Sequence, residues 1–398
     1  MTVCGIVAEY NPFHTGHAHH IAQTQRALGG EAAIVCAMSG NFVQRGDFAV
    51  LDKYARAEMA VRGGADLVVE LPLAAALSSA EGFARGAIGV LRALGCNVVS
   101  FGAETPDTAL IERAARALDA LPPTGGGASP LSYAARRQDE LRRLDERAAA
   151  LLDTPNNTLA IEYCRAMLPY GMRPLAVARR GAAHDADAPC AGFASASLLR
   201  AQLRAGETAR CAPYLPLDTL AIWQRAVRAG AAPVNLPEDM LLALLRAALF
   251  SGRLSTGADD GFDERLQRAV YAAVSFTDAV EQARTRRFPA ARVRRALLRT
   301  AIGLPADAPV RPQYLRVLAL GPKGRGLLRG LPDRPPVIIR PVSEKRLPAA
   351  LQPALTLDCF ADDLYALACP SPALRAGGSH YRRTPFILSP PPSHDSGH

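Results

Sequence analysis

Over its first 205 residues the chain alternates short apolar runs with longer helix-compatible segments. The predicted strands are Val3–Val7, Ala32–Met38, Asp66–Leu71, Asn97–Phe101 and Leu175–Ala178. The predicted helices are Ala18–Leu28, Tyr54–Arg62, Ala80–Leu94, Asp107–Leu121 and Leu131–Leu152. This alternation predicts an α/β fold with a doubly wound parallel sheet, in which ligands bind beyond the carboxyl ends of the strands.

Two further regions follow the alternating part, because 398 residues are long for one domain and suit two or three. Residues 206–302 are predicted to be mainly helical, with Met240–Phe250 and Glu264–Val280 the clearest helices. Residues 303–388 form a mixed region with many prolines and with apolar runs at Leu315–Leu320 and Pro336–Ile339. The proline- and serine-rich tail 389–398 is predicted to be disordered.

The composition is that of a folded protein, with 49% hydrophobic and 21% charged residues. No apolar run reaches the roughly 20 residues needed to cross a bilayer, so no membrane association is expected. A signal peptide is not expected either, since no basic segment precedes the first apolar run. The eight cysteines are scattered without a C-x-x-C pair. Reduced core thiols in a cytoplasmic protein are therefore expected, rather than a disulfide framework or a zinc site.

The chain is basic, with a formal net charge of +9 that arises mostly from arginine. A polyanionic partner such as nucleic acid is consistent with this charge. Seven arginines fall within sixteen residues: Arg284, Arg286, Arg287, Arg292, Arg294, Arg295 and Arg299. Such a run is either a solvated helix face or a surface that contacts a phosphate backbone.

The segment between the first predicted strand and the first predicted helix carries the strongest chemical signal. His14-Thr15-Gly16-His17 begins the helix, whose N-terminus presents unpaired N–H groups and a positive dipole end. Gly16 lets the backbone approach a phosphate closely, and the two imidazoles can hydrogen-bond phosphate oxygens. This arrangement suits attack on the α-phosphate of a nucleotide. The alternatives are a plain solvated helix start and a metal site, because His19 and His20 lie nearby.

Two polar segments follow the next predicted strand. The loop Ser39–Asp47 is rich in hydrogen-bond donors and turn residues, which favours a ligand loop. Lys53 and Arg56 lie one helical turn apart, so both could reach one phosphate group; a solvated basic face is the alternative.

Three further positions are candidate phosphate or nucleotide ligands. Asn156 and Asn157 follow Pro155, where they could cap a helix or donate to a nucleotide. Arg179 follows the last predicted strand of the sheet, where a guanidinium group can meet phosphate. Ser197 and Arg200 lie in the segment Ser195–Arg200, at a predicted helix start where hydroxyls, amides and a guanidinium group converge. This last segment could equally be a capped surface helix.

Two motifs and several longer segments resemble one known family. His14-Thr15-Gly16-His17 and Ser195-Ala196-Ser197-Leu198-Leu199-Arg200 are similar to the two signatures of the HIGH-type nucleotidylyltransferase superfamily. The longer segments are Glu9–His14, Met38–Gly46, Asp66–Pro72, Phe101–Glu104 and Leu357–Tyr365. Together they resemble the bacterial tRNA(Met) cytidine acetate ligase family over nearly the whole chain.

The resemblance implies a Rossmann-like nucleotidylyltransferase catalytic domain over residues 1–205. It also implies catalytic roles for His14, His17, Ser197 and Arg200, where Ser197 replaces the usual threonine of the family and keeps its hydroxyl. The implied ATP-binding residues are Val7, Ala8, Glu9, Tyr10, Asn11, Pro12, Phe13, His14, Thr15, Gly16, His17, Ala18, His19, His20, Gly102, Asn157 and Arg179. The choice of Asn157 over Asn156 stays open.

The implied activity is ATP-dependent acetylation of the wobble cytidine of elongator tRNA(Met), with acetate as the acetyl donor. Acetate would attack the α-phosphorus of ATP, and N4 of the cytidine would then attack the acetyl-adenylate and release AMP. No set of residues has metal-ligand spacing, so Mg²⁺ is expected to arrive on the ATP phosphates. Two alternatives remain: a small-molecule adenylyltransferase, and an RNA-binding protein with a vestigial nucleotide site.

Overall fold

The structure, a computed structural model, describes residues 2–122, 132–179, 192–258, 260–329, 334–340 and 347–389. Its strands are β1 (Val3–Ala8), β2 (Ala33–Ser39), β3 (Phe42–Val43), β4 (Asp47–Phe48), β5 (Leu67–Leu71), β6 (Val98–Ala103), β7 (Arg173–Ala178), β8 (Leu315–Leu320), β9 (Val337–Ile338) and β10 (Phe386–Ile387). All five strands predicted in the alternating part are present.

The described helices extend from the first sheet crossover to the C-terminal region. They are α1 (Thr15–Ala27), α2 (Lys53–Arg62), α3 (Leu73–Ala76), α4 (Ala80–Ala93), α5 (Thr108–Ala120), α6 (Tyr133–Leu144), α7 (Glu146–Ala150), α8 (Pro155–Met167), α9 (Ala196–Arg204), α10 (Thr208–Cys211), α11 (Leu217–Arg228), α12 (Glu238–Phe250), α13 (Phe262–Ala272), α14 (Phe276–Ala283), α15 (Ala290–Ile302), α16 (Gly324–Leu327) and α17 (Gln352–Leu367).

One large sheet organises the molecule, with strand order β10-β8-β5-β2-β1-β6-β7 and β9 beside β8. The strands β5, β2, β1, β6 and β7 are parallel, and the central strand β1 pairs with β2 and β6. The prediction of a doubly wound parallel sheet is therefore confirmed. β8 runs antiparallel to β5, and both β8 and β10 come from residues 303–388. This C-terminal region thus completes one edge of the sheet.

Helices cover both faces of the sheet, which explains why its strands read as continuous apolar runs. On one face, Phe83 and Ile88 of α4 pack with Val35 of β2. On the other, Ile21 of α1 packs in a second cluster with Met38 of β2. A third cluster joins α12–α15 and α17 to the small β3–β4 hairpin. The limits predicted for the three regions stay predictions, and residues 390–398 of the predicted tail lie outside the described residues.

Two long predicted helices are each broken into two. Leu131–Leu152 divides at Asp145, because the Asp145 carboxylate accepts a hydrogen bond from the Ala148 N–H at 3.0 Å and starts α7. Glu264–Val280 divides before Ser275, whose hydroxyl accepts from the Asp278 N–H at 3.0 Å and starts α14. Both residues compete locally with the helix backbone, which makes them good N-caps and poor interior residues.

Within the described part of the chain, no helix has the length and apolar character needed to cross a membrane. Seven cysteines are described, all of them buried with free thiols: Cys4, Cys36, Cys96, Cys164, Cys211, Cys359 and Cys369. Cys190 lies outside the described residues.

Candidate active site

A cleft of about 280 Å³ lies at the carboxyl ends of β1, β6 and β7. Thirteen of the predicted site residues line it: Val7, Ala8, Glu9, Tyr10, Asn11, His14, Gly16, His17, His19, His20, Gly102, Arg179 and Arg200. The remaining predicted residues do not line it: Pro12, Phe13, Thr15, Ala18, Asn157 and Ser197. The fold therefore brings together segments from both ends of the predicted catalytic domain.

The N-terminus of α1 is closed by its own two histidines. The Gly16 N–H donates to His14 Nδ1 at 3.0 Å, and the His14 N–H donates to His17 Nδ1 at 3.2 Å. The two rings stack with their centroids 3.8 Å apart. Gly16 is required here because a Cβ at this position would lie 2.8 Å from His14 Cε1. The predicted helix start is thus a capping box in which imidazoles replace the usual hydroxyl and carboxyl groups.

These hydrogen bonds determine which ring nitrogen of each histidine can carry a proton. Because Nδ1 of His14 and Nδ1 of His17 each accept from a backbone N–H, the proton of each neutral ring is assigned to Nε2. Each imidazole can then donate from Nε2 at the start of a helix whose dipole favours anions. Two neutral donors and a helix N-terminus suit a phosphate group that gains charge during reaction.

The imidazoles are held in the neutral form by their surroundings. Burial lowers the pKa of His14 to about 3, and the nearby guanidinium groups of Arg179 and Arg200 act in the same direction. Burial and the charge of Arg179 also lower the pKa of His20 to about 4. His17 has a pKa well below 6.5, first through burial and then through His14 and Arg179. A group with a lowered pKa stays neutral above its folded-state value, so all three are neutral at pH 7.

We expect the ring signals of His14 and His20 in the ligand-free protein to keep their neutral positions from pH 8 down to pH 5. Protonation should begin only as the pH approaches about 4. Nuclear magnetic resonance of the histidine rings, assigned with His14→Asn and His20→Asn variants, measures this directly. A midpoint near the ordinary value of 6.5 for either ring would contradict the prediction.

A metal site among these histidines is not supported. Nδ1 of His14 and of His17 is used by the backbone, and His20 Nε2 lies 2.9 Å from Ser100 Oγ. Among the described residues, no group of three or more His, Cys, Asp or Glu side chains could hold a metal ion.

Two arginines face the histidines from other elements. Arg200 of α9 donates to the Asn11 carbonyl at 3.1 Å and to the Ser197 hydroxyl at 3.3 Å. Ser197 therefore acts on the cleft by orienting Arg200 rather than by lining it. Arg179, just after β7, donates to Asn156 Oδ1 at 3.3 Å. Its side chain lies along Gly102, where a Cβ would come within 3.3 Å of Arg179 Cγ.

The structure places Asn156, not Asn157, at the cleft. Asn157 is only 2% exposed, and its Oδ1 accepts from the Thr105 N–H at 3.1 Å. Glu104 fixes this choice because its carboxylate accepts from the Asn157 N–H at 2.9 Å and from the Asn156 side chain. Burial raises the pKa of Glu104, but these hydrogen bonds outweigh burial and hold it below its usual value. Asn157 therefore supports the loop after β6.

The backbone between β1 and α1 adopts an unusual conformation. Tyr10 has φ of 46°, in the left-handed region that non-glycine residues seldom adopt. The buried Arg56 holds this turn by donating to the carbonyls of Glu9 at 2.5 Å, Leu51 at 2.9 Å, Ser39 at 3.2 Å and Gly40. Tyr10 in turn packs edge-on against His17, with ring centroids 4.9 Å apart.

The hypothesis that Lys53 and Arg56 bind one phosphate is wrong. Arg56 is fully buried and bound to backbone carbonyls. Lys53 Nζ lies 2.8 Å from Glu70 Oε1 and 2.7 Å from Asp362 Oδ2, and its side chain is 2% exposed. Both groups are structural. Asp362 is 309 residues away in sequence, so helical spacing alone could not reveal this partner.

Several residues that line the cleft were not singled out from the sequence: Gln44, Arg45, Phe83, Phe101, Tyr163 and Phe193. Gln44 and Arg45 belong to the loop Ser39–Asp47, whose donor-rich composition indicated a ligand loop. The Gln44 N–H donates to Glu9 Oε1 at 2.7 Å, which ties this loop to the end of β1. The apolar residues carry no comparable signal, since they resemble ordinary core residues.

Part of the arginine run binds the protein itself. Arg295 donates to the Gln44 carbonyl at 3.0 Å, and Arg299 donates to the Ala74 carbonyl at 3.4 Å. Arg292 lies over the rings of Phe262 and Phe288 and pairs with Asp260 at 3.2 Å. These three side chains fix α15 against its neighbours, so they do not form a simple solvated face. Arg284, Arg286 and Arg294 are at least partly exposed.

Comparison with known proteins places this cleft in a family. The model of the HIGH Nucleotidyl Transferase family matches residues 1–379. The tRNA(Met) cytidine acetate ligase of Syntrophotalea carbinolica is 37% identical over 82% of each chain. That of Acetivibrio thermocellus is 30% identical over 98% of this chain and all of its own.

Solved structures agree with this placement. The crystal structure of apo Thermotoga maritima TmcAL has a TM-score of 0.90 at 29% identity, and the match covers 98% of this chain and all of that one. The same protein bound with alpha-thio ATP has a TM-score of 0.88. The chain therefore belongs to the tRNA(Met) cytidine acetate ligase family of enzymes, within the HIGH nucleotidyl transferases.

Proposed function

We propose that this enzyme uses ATP to activate acetate as acetyl-adenylate and then acetylates N4 of the wobble cytidine of elongator tRNA(Met). The products are N4-acetylcytidine in the tRNA, AMP and pyrophosphate. One observation carries the proposal: His14 and His17 at the start of α1 share one cleft with Arg179 and Arg200. The family membership supports the choice of acetate and tRNA, since the relatives are named for that reaction.

The first step is attack of an acetate oxygen on the α-phosphorus of ATP, with cleavage of the bond to the bridging oxygen of pyrophosphate. Negative charge grows on the departing pyrophosphate, so groups that stabilise this charge lower the barrier. Two neutral Nε2–H donors, the α1 N-terminus and the guanidinium groups of Arg179 and Arg200 suit this role. ATP binding here is supported by the alpha-thio ATP complex of the Thermotoga maritima relative.

The second step is attack of the cytidine N4 on the acetyl carbonyl carbon. The carbonyl-to-phosphate oxygen bond breaks, AMP leaves with that oxygen, and N4 loses one proton to solvent. The exocyclic amine of cytosine is a weak nucleophile, which explains why acetate must be activated first. A wobble base is unpaired in its loop and can be splayed into a pocket.

In this mechanism the substrates supply the reacting groups and the chain supplies position and charge. Mg²⁺ enters with ATP as part of the substrate and neutralises phosphate charge when bound. Both ATP and tRNA are cytoplasmic molecules, so the proposed reaction implies a cytoplasmic location.

We expect incubation with ATP, labelled acetate and tRNA(Met) to place one acetyl group on a single cytidine and to release equal amounts of AMP and pyrophosphate. Nucleoside mass spectrometry locates the label. A matched tRNA with uridine at the wobble position lacks the N4 amine, so it should receive no acetyl group. Attachment of AMP to phosphopantetheine or to a pyridine mononucleotide at a comparable rate would identify a small-molecule adenylyltransferase instead.

A further inference from the structure

A second cavity of about 310 Å³ lies at the same edge of the sheet as the active cleft. It lies beyond the end of β5 at Leu71 and the start of β8 at Leu315, which meet because these strands are antiparallel. β5 is two strands away from β1, so the ends of these two strands are about 10 Å apart at a strand spacing of about 4.8 Å. No residue lines both cavities.

The loop after β2 separates the two cavities. Gln44 and Arg45 of this loop line the active cleft, whereas Gly40 and Asn41 border a small gap on its other side. That gap shares Glu70 with the second cavity. A substrate that covered this loop could therefore enter both cavities at once.

The walls of the second cavity are mostly apolar and include flat proline rings. Pro72 and Leu73 face it from the segment after β5, Leu304 and Pro305 from the segment after α15, and Leu357 from α17. Apolar walls with a few converging polar groups are typical of sites for small, flat organic groups.

The polar groups converge at one end of the cavity. The Tyr314 hydroxyl donates to Asp358 Oδ2, and Arg316 Nε lies 3.7 Å from Glu70 Oε2. Lys53 Nζ lies 2.8 Å from both oxygens of Glu70. Burial and the charge of Glu70 raise the pKa of Asp358 to about 7. The Asp358 carboxyl can therefore both donate and accept hydrogen bonds at neutral pH.

We propose that this second cavity binds an unpaired nucleobase with an exocyclic amine, adenine or cytosine, from the loop of the RNA that presents its wobble cytidine to the active cleft. The inference rests on the proposed function and deepens it. A carboxyl group matches the amine and the adjacent ring nitrogen of such a base with two hydrogen bonds. The apolar walls take its faces, as expected for recognition of single-stranded RNA loops.

The charges at the polar end disfavour an anionic ligand. Glu70 and Asp358 present carboxyl oxygens, while Arg316 is engaged with Glu70 and His380. A phosphate group would meet carboxylates here, whereas an amine-bearing base meets acceptors. The phosphate groups of the RNA thus remain outside this cavity.

The test uses Asp358→Asn and the cavity-filling Ala354→Phe, both on α17. Thr356→Phe, on the exposed side of the same helix, is the matched control. Pyrophosphate release from ATP and acetate without tRNA reports that each variant is folded and active. Acetylation is then measured on transcripts in which each anticodon-loop nucleotide is replaced in turn.

We expect both cavity variants to release pyrophosphate like the wild type but to raise the KM for tRNA about tenfold, as for loss of a two-bond base contact. One loop nucleotide other than the acetylated cytidine should matter to the wild type and cease to matter to Asp358→Asn. Thr356→Phe should behave as the wild type.

Equal sensitivity of wild type and Asp358→Asn at every loop position would overturn the inference. So would a second ATP molecule bound per chain and lost in Ala354→Phe, which would assign the cavity to a free nucleotide. Failure of the proposed function itself would appear differently, as a wild type that acetylates none of the transcripts, and would remove the basis of this inference as well.

Discussion

Replacement of His14 by asparagine or of His17 by glutamine is expected to slow acetyl-adenylate formation about 100-fold, the typical cost of losing one preorganised donor to a developing charge. Asparagine is a good N-cap, so His14→Asn keeps the helix start and removes only the imidazole donor. ATP affinity should fall much less than the rate, because the charge on pyrophosphate appears only during the reaction.

The measurement is the rate of pyrophosphate release at saturating ATP, together with the dissociation constant for ATP. Thr15→Ala is the control, since Thr15 lies between the two histidines in sequence and does not line the cleft. A variant that loses ATP affinity as strongly as rate would show that its imidazole binds the ground state equally. A rate close to that of the wild type would remove that histidine from the proposed catalytic groups.

Lys53→Met is expected to lower the free energy of unfolding by about 3–5 kcal/mol, as measured for the loss of one partner of a buried ion pair. Lys53 Nζ is the cation between the carboxylates of Glu70 and Asp362, and those two carboxylates would remain in a buried site. Asp362 also orients the loop after β2, since it accepts from the Asn41 side chain at 2.8 Å. Denaturant unfolding measures the change.

Arg142→Met provides the matched control, because Arg142 pairs with Asp139 at 2.7 Å on an exposed helix face. Loss of that pair should cost about 1 kcal/mol or less. ATP affinity of the folded Lys53→Met protein should stay close to that of the wild type. Unchanged stability together with weak ATP binding would return Lys53 to the role of a phosphate ligand.

The strands and the helix start at His14 could be predicted because their causes are local. Both faces of β1 and β2 are buried, so each strand reads as a continuous apolar run. The histidine-glycine-histidine pattern marks a helix N-terminus whatever surrounds it. The tautomer of each ring could not be predicted, since it depends on the turn that brings His17 Nδ1 to the His14 N–H.

Other features depend on partners that are distant in sequence. Asn156 and Asn157 are neighbours on a helix, and only the carboxylate of Glu104 decides which one faces the cleft. The edge strand β8 joins the sheet after an excursion of more than 200 residues, between Leu71 and Leu315. Periodicity carries no information about such pairings, which explains why Lys53 was misassigned while its helix was predicted correctly.

Acetate labelled with oxygen-18 at both oxygens gives the most direct test of the central claim, that this cleft joins acetate to the α-phosphorus of ATP. After one turnover with tRNA, we expect one labelled oxygen in AMP and one in the acetyl group of N4-acetylcytidine. The labelled oxygen reaches AMP because it bridges carbon and phosphorus in acetyl-adenylate and leaves with phosphorus. AMP free of label would contradict attack at the α-phosphorus, and with it the function proposed for this site.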